Sequence, residues 1–221
     1  MAPDWTDIPA APPERVEAGP VVVRRVQASD ASAIAAAVGA SLDELRPWMP
    51  WATPAAADQS IQLARVAEAD HRWESGISYT YSVLTASTGT LVGEAALHRR
   101  TSDDSTAGDS LASHSMASYA TAGDSVELGY WIAAGQAGNG YGTSASAALT
   151  TVALELPGVS RVEIHCDAAN TASAAVARRL GYRLDRIEER RPEAPGESGR
   201  LMIWVLDKRA SEGVPLRPVS R

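Results

Sequence analysis

Phenylalanine is absent from this 221-residue chain, so tryptophan, tyrosine and leucine have to supply the bulk of its core. Cysteine is nearly absent too. Cys166 stands alone, which excludes an intramolecular disulfide framework and fits a reducing cytoplasm. No apolar run approaches the roughly 20 residues of a membrane span. The opening stretch, MAPDWTDIPAAPPERVEAGP, holds neither a basic leader nor an apolar block, so no signal peptide is expected. Positive charge is in deficit, with 20 Lys and Arg against 27 Asp and Glu. A net charge of −7 argues against a general nucleic-acid binder and suits a cationic small molecule or a basic peptide as partner. His71, His98, His114 and His165 lack metal-ligand spacing, so no metal is expected.

What remains is an alanine-rich chain, 45% hydrophobic, of a length best read as one domain with ragged ends. Residues 1–19 read as a Pro-rich arm, residues 20–209 as the domain and residues 210–221 as a tail. PVVVRRVQA reads as a strand. Ser29 and Asp30 offer an N-cap to a helix carrying Ile34, Val38, Leu42 and Leu45 on one face, stopped by the prolines of LRPWMPWATP. A second helix is expected from about Ala57 to Glu74. SYTYSVLTA and LVGEAALHR alternate about the turn STGT and read as a hairpin. Residues 101–125 hold Asp103, Asp104, Asp109 and Asp124 without Lys or Arg and show no period; a mobile acidic insertion is expected. VELGYWIAA reads as a strand, and a helix follows with Ala145, Ala148, Leu149, Val152 and Leu156 on one face. RVEIHC alternates Val162, Ile164 and Cys166 against Arg161, Glu163 and His165. NTASAAVARRLGY reads as a short capped helix, and YRLDRIEERR with RLMIWVLDK as a closing hairpin. The order describes an α/β layer with a mixed sheet.

The stretch WIAAGQAGNGYGTSASAALTTVAL places Gly138, Gly140 and Gly142 between a strand and a helix. Helix N-termini expose unpaired N–H groups and the positive end of the macrodipole, and glycines let a phosphate approach the backbone. The corner is therefore a phosphate cradle or a tight turn that needs permissive residues. A Walker loop requires a lysine after the last glycine, and Thr143 stands there. A Rossmann fingerprint requires a different glycine spacing and a place after the first strand, although Glu163 lies at a suitable distance.

ELGYWIAAGQAGNGYGTSASAAL and RVEIHCDAANTASAAVARRLGYRL resemble the GNAT superfamily of N-acetyltransferases, in particular the Rim-type branch that acetylates ribosomal-protein N-termini. LRPWMPWA is similar to a segment of that branch near the acceptor pocket. The resemblance runs from about Val21 to Lys208. It implies the GNAT acyl-CoA N-acyltransferase fold, a mixed sheet of about seven strands flanked by about four helices. It also implies acetyl-CoA as co-substrate and an amine as acceptor; from the charge balance and the lack of a long apolar run, neither nucleic acid nor membrane is expected as partner. The amides of Gly138, Asn139, Gly140, Tyr141, Gly142 and Thr143 are expected to hold the pyrophosphate. Gln136 is expected beside them, one residue earlier than the family's usual Arg or Gln, whose place is Ala137. Ser144 stands where an acidic residue is usual. The backbone of Trp131, Ile132 and Ala133 is expected to pair with the pantetheine.

Acyl transfer to an amine needs a neutral nucleophile, a polarised thioester carbonyl and a proton for the leaving thiolate. Deprotonating an α-amine at pH 7 costs about 1 kcal/mol and a lysine about 4.6 kcal/mol, so an N-terminal acceptor needs only a weak base. Glu127 is the candidate base; its plain reading is a solvated strand residue. Asn170 and Ser173 open the last helix, where an ordinary N-cap accounts for Asn170. The resemblance adds a pantetheine contact for Asn170 and a proton donor in Ser173. Elsewhere in the superfamily a tyrosine seven residues after that Asn donates the proton, and Ala177 stands there. Cys166, in a strand that alternates as a core strand does, reads as a buried structural thiol. Trp48 and Trp51 are core or, by the resemblance, part of an acceptor wall. The resulting expectation is an acetyltransferase of protein N-terminal α-amines. Its rivals are a small cationic amine (aminoglycoside or polyamine) as acceptor, a non-catalytic acyl-CoA-binding module, and a Rossmann-type nucleotide binder.

Overall fold

Every stretch read as a strand enters one sheet. The computed structural model describes residues 11–101 and 122–208. Its strands are β1 (Arg15–Ala18), β2 (Val21–Arg25), β3 (Ser78–Thr85), β4 (Leu91–Thr101), β5 (Ala122–Ile132), β6 (Arg161–Asp167), β7 (Arg183–Glu189) and β8 (Arg200–Asp207). They lie in the order β1-β2-β3-β4-β5-β6-β8-β7. All neighbours are antiparallel except β5 and β6. The helices are α1 (Ala31–Gly39), α2 (Leu42–Leu45), α3 (Gln59–Glu74), α4 (Tyr141–Glu155) and α5 (Thr171–Arg179).

The mixed α/β layer is the one expected, with one strand and one helix more. The added strand, β1, comes out of the Pro-rich arm. Its Arg15 and Glu17 are exposed, so four residues of mixed polarity left no pattern to read. Contacts distant in sequence hold it: Arg25 N–H donates to Glu14 O at 2.6 Å, and the Tyr81 hydroxyl donates to Pro13 O at 3.1 Å. The added helix arises because the first helix breaks after Gly39. Ser41, fully buried, donates its hydroxyl to Ala37 O at 2.6 Å and accepts Ala134 N–H at 2.8 Å, so the break ties this segment to the exit of β5. Ile34, Val38 and Leu45 stay buried across the interruption. Asp30 does not cap α1 with its side chain; it pairs with Arg24 at 2.8 Å and accepts from Ser82 Oγ at 2.9 Å.

Trp73 takes the place of missing phenylalanines, packing edge-on against Tyr79 and Tyr81 at 5.2 and 5.0 Å. The expected face of α4 (Ala145, Leu149, Val152) is buried with Leu128 of β5 in one cluster. Trp131 and Ala133 pack with Ile34, Val38 and Val66 in another. β5 thus has helices on both faces, as alternation along a strand allows. β4 runs to Thr101 and β5 starts at Ala122, so both hairpin strands extend into the stretch read as an insertion. The remainder of that insertion and the C-terminal tail lie outside the described residues.

The feature that makes a site is a parting of strands. β5 and β6 pair at Ser125↔Arg161, Val126↔Val162 and Glu127↔Glu163 and no further. β5 continues beside β4 to Ile132, and β6 beside β8 to Asp167. Leu128–Ile132 and residues 164–167 therefore form the two walls of a V. At its open end Asp167 accepts N–H groups from Ala169, Ser198, Gly199 and Arg200, pinning the β7–β8 loop to the start of α5.

Candidate active site

The V opens into a cleft of about 1240 Å³. Its mouth at α4 is the glycine corner. Gly138 and Gly140 have φ of 81° and 78°, a region costly to residues with a Cβ, and a Cβ at either would point into open space. Gly142 does something else: a Cβ there would lie 3.3 Å from Ile132 Cγ1 and 3.5 Å from the Tyr130 ring, so its bareness lets α4 approach β5. Gly140 is the N-cap of α4, and no side chain caps this end. The amides of Tyr141, Gly142 and Thr143 thus precede the first helical bond, Ser144 N–H to Gly140 O at 2.9 Å. Gln136 and Asn139 shape the loop, with Asn139 Nδ2 donating to Gln136 O at 3.2 Å.

Two more groups join this corner: Arg179, which the sequence did not single out, and Ser144, noted there only as a departure from the family pattern. Arg179, at the end of α5, donates to Thr143 Oγ1 at 3.2 Å and brings a guanidinium to the cradle. The Ser144 hydroxyl is buried without a hydrogen-bond partner in the protein and lines the cleft. Amides and a guanidinium that has no carboxylate partner among the described residues suit a phosphate.

Deeper in the V, Asn170 Oδ1 caps α5 by accepting Ser173 N–H at 3.1 Å. The Ser173 hydroxyl lies 3.3 Å from the hydroxyl of Tyr130, which reaches across from β5. Burial pushes the Tyr130 phenol up to about 12, so it keeps its proton at any working pH. Tyr130 is the site residue the sequence concealed, because its partner is 43 residues away. Its signal was the GYW run in the strand before the glycines. Cys166 is buried, as expected, and burial raises its thiol above the ordinary range.

Glu127 stands where the strands part. Its Oε2 accepts from Arg100 Nη1 at 2.6 Å and lies 3.5 Å from His165 Nδ1. The other nitrogen of His165, Nε2, is 2.7 Å from Glu163 Oε2. Burial favours the protonated form of Glu127, but His165, Arg100 and His98 outweigh it and hold the carboxyl below its usual range. Glu163 is likewise lowered, burial being outweighed by the bond to His165 and by His165 and Arg161 charge. The solvated strand carboxylate of the plain reading is absent, and a base role for Glu127 is opposed by its ion pair.

The two tryptophans separate. Trp48 lines the cleft. Trp51 packs against Trp131 with ring centres 6.1 Å apart and lines a second cavity of about 290 Å³ beneath α3. Trp131 donates Nε1–H to Glu94, a buried carboxylate that Arg65 also holds. The wall near Trp48 is locked to the β7–β8 loop, since Gly196 N–H donates to Pro47 O at 2.9 Å. A Cβ on Gly196 would stand 2.6 Å from that carbonyl oxygen. Gly196→Ala is therefore expected to lower stability by about 1–3 kcal/mol, read as a fall in Tm. It is expected to raise the acceptor KM while titration calorimetry finds coenzyme A affinity unchanged. Intact KM together with intact Tm would show that this contact does not shape the wall.

Among the described residues, groups of three or more His, Cys, Asp and Glu that could hold a metal are absent, and no helix is long and apolar enough to cross a membrane.

Residues 21–183 match the family model described as an acetyltransferase (GNAT) domain. Curated protein sequences yield no match. Among solved structures, RimJ of Mycobacterium smegmatis in complex with CoA-disulfide is similar with a TM-score of 0.74 at 21% identity, over 94% of this chain and 91% of that one. RimL, a ribosomal L7/L12 alpha-N-protein acetyltransferase in complex with coenzyme A, gives 0.73 at 17% identity, over 89% and 99%. The ribosomal-protein-S5-alanine acetyltransferase of Vibrio fischeri gives 0.72 at 15% identity, over 88% and 96%. At these identities the likeness speaks for the fold.

Proposed function

The chain belongs to the GNAT acetyltransferase family, and from that premise we propose that it moves an acetyl group from acetyl-CoA to a protein N-terminal α-amine, by direct attack in a ternary complex. The observation that carries this reading is the two-sidedness of β5. Tyr130, beside Ser173, and Glu127 sit at odd separation on that strand, so they face opposite ways into one cleft. One side offers a proton to a leaving thiolate and the other offers negative charge to an ammonium.

Acetyl-CoA supplies the activated thioester carbonyl. The amides of Gly138 to Thr143 hold its pyrophosphate, with Gln136 beside them, and the backbone of Trp131, Ile132 and Ala133, which lacks a β6 partner, pairs with the pantetheine. Asn170 contacts the pantetheine and presents Ser173, whose hydroxyl protonates sulfur as the C–S bond breaks. Glu127, ionised because of Arg100 and His165, receives the acceptor's ammonium. Trp48 walls the acceptor side, and Trp51 supports it from behind Trp131. Glu44, Glu188, Glu189 and Glu193 also line the cleft, which favours a cationic acceptor.

The likeness to RimL, an alpha-N-protein acetyltransferase, and to the ribosomal-protein-S5-alanine acetyltransferase of Vibrio fischeri supports a protein acceptor over a small amine. So does the commitment of Glu127 to Arg100, since an α-amine needs only about 1 kcal/mol to deprotonate at pH 7 and can make do with a weak base. Thiol release from acetyl-CoA, followed by mass spectrometry of the acceptor, tests the reading. Peptides with a free N-terminus are expected to gain 42 Da, about the mass of an acetyl group in place of a proton on nitrogen; the same peptides blocked at the N-terminus but carrying lysine are expected to remain unmodified. Transfer to polyamines or aminoglycosides alone would replace the acceptor. Heat of coenzyme binding without turnover on any amine would make the chain a binding module.

A further inference from the structure

Glu127 and Glu163 face each other in the last register pair before β5 and β6 separate, so two carboxylates on one sheet face meet at the apex of the V. His165, two residues beyond Glu163 on the same face, bridges them. Its Nε2 is bonded to Glu163 at 2.7 Å, whereas its Nδ1 stands 3.5 Å from Glu127, beyond a well-formed hydrogen bond. The imidazole side chain is only 12% exposed and lines the cleft.

We infer that His165 is the base that takes the proton from the acceptor's ammonium, that Glu163 is the positioning residue which fixes its tautomer, and that Glu127 anchors the ammonium beside it. The inference rests on the N-acetyltransferase reading above. With Nε2–H donated to Glu163, His165 can release the Nδ1 proton to the cleft and then take one from an ammonium held by Glu127, the arrangement of a base held by an orienting carboxylate. Glu127 is committed to Arg100 and serves better as an anion than as a proton acceptor. Imidazole is the side chain whose ordinary titration range brackets neutral pH. The other imidazole in the cleft wall, His98, engages the Ser78 hydroxyl through Nδ1 at 2.8 Å.

The protons balance. The ammonium loses one to His165 Nδ1 and thence to solvent. The amine nitrogen then bonds the carbonyl carbon as the C–S bond breaks, and the second amine proton replaces the one that Ser173 gives to sulfur. The charges around His165 are Glu127 from β5, Arg100 and His98 from β4, Glu163 and Arg161 from β6, and Arg186 with Glu188 from β7; β8 presents apolar Ile203. Removing Glu163 withdraws the anion nearest His165 and weakens the stabilisation of its proton-loaded form.

The test uses the full chain, acetyl-CoA and a short peptide with a free N-terminal serine, with kcat and KM followed from pH 5.5 to 9, a span of roughly one to three units on either side of an ordinary imidazole. His165→Ala is expected to lower kcat about 100-fold at pH 7 with coenzyme A affinity kept, and to regain activity when imidazole is added to the assay. Glu163→Gln is expected to lower kcat less and to shift the acid limb of the kcat profile to lower pH, which a merely structural carboxylate would not do. A His165→Ala enzyme within about twofold of wild type, or one that loses activity but is not rescued while Glu163→Gln leaves the limb in place, would overturn the assignment. Silence of the wild-type enzyme on the peptide would instead overturn the α-amine reading, and this inference with it.

Discussion

Ser173→Ala is expected to lower kcat by roughly 100-fold, within the range for a positioned acid, while coenzyme A still binds with near wild-type affinity. The hydroxyl sits in the cleft beside the phenol of Tyr130, which burial keeps protonated, so in the proposed reaction the pair would act as a donor chain toward the leaving sulfur. Asn170 caps α5 through the Ser173 amide, not through its hydroxyl, so the alanine retains the cap and the coenzyme contacts. Tyr130→Phe removes the outer link and is expected to cost less than the serine change. Single-turnover thiol release with saturating acetyl-CoA measures both. A fully active Ser173→Ala would remove the serine from the scheme. Cys166→Ala serves as the control, with turnover near wild type, because a buried thiol with a raised pKa is not a nucleophile at neutral pH. An acetyl group trapped on Cys166 would overturn direct attack.

The second large effect belongs to the cradle. Gly140→Val is expected to weaken acetyl-CoA more than tenfold, about 1.4 kcal/mol of binding, because its side chain would stand where phosphate must approach. The space around a Cβ at this position is empty, so sterics within the protein do not oppose the substitution. The backbone does. At φ 78° a β-branched residue is strained by roughly 1–2 kcal/mol or more, and the Tm is expected to fall as well. Gly138→Ala separates the two effects, carrying a similar φ penalty with a smaller side chain. Calorimetric titration at a temperature where both variants are folded decides. Unchanged affinity in folded Gly140→Val would take the phosphate away from this corner.

Much of this architecture was legible because its signals are local. The strand alternation of Tyr79, Tyr81 and Val83, the glycines before α4, and Asn170 before α5 each act within a few residues of themselves. What escaped depends on partners far along the chain. β1 is a strand only because β2 and the Tyr81 hydroxyl receive it. The first helix breaks because Ser41 answers to Ala134, while its apolar period runs on undisturbed through Leu45. RVEIHC alternates, yet its polar side is not simply solvated: Glu163 is 2% exposed, enclosed by His165, Arg161 and the neighbouring strand. Polarity told which residues share a face, and only the parting of β5 from β6 told that this face lines the cleft. The same limit separated Trp48 from Trp51, three positions apart in one motif but on different cavities.

The three-pair joint between β5 and β6 bears on how the molecule holds together. Five strands lie on one side of it and three on the other, and the joint spans only Ser125 to Glu127 on β5. Backbone bonds across the seam are few, so side chains carry much of the coupling: α4 packs on both β5 and β6, and one buried cluster joins Leu128 of β5 to Ile164 of β6 and Trp204 of β8. A ligand seated in the V touches both blocks and adds to that coupling, so its binding energy becomes folding cooperativity. By linkage, a compound that binds only the native form at a hundred times its Kd contributes about 2.7 kcal/mol of stability. The lifetime of this enzyme in a cell is thus expected to follow the acetyl-CoA pool, lengthening when acetyl donor is plentiful and shortening when it is spent.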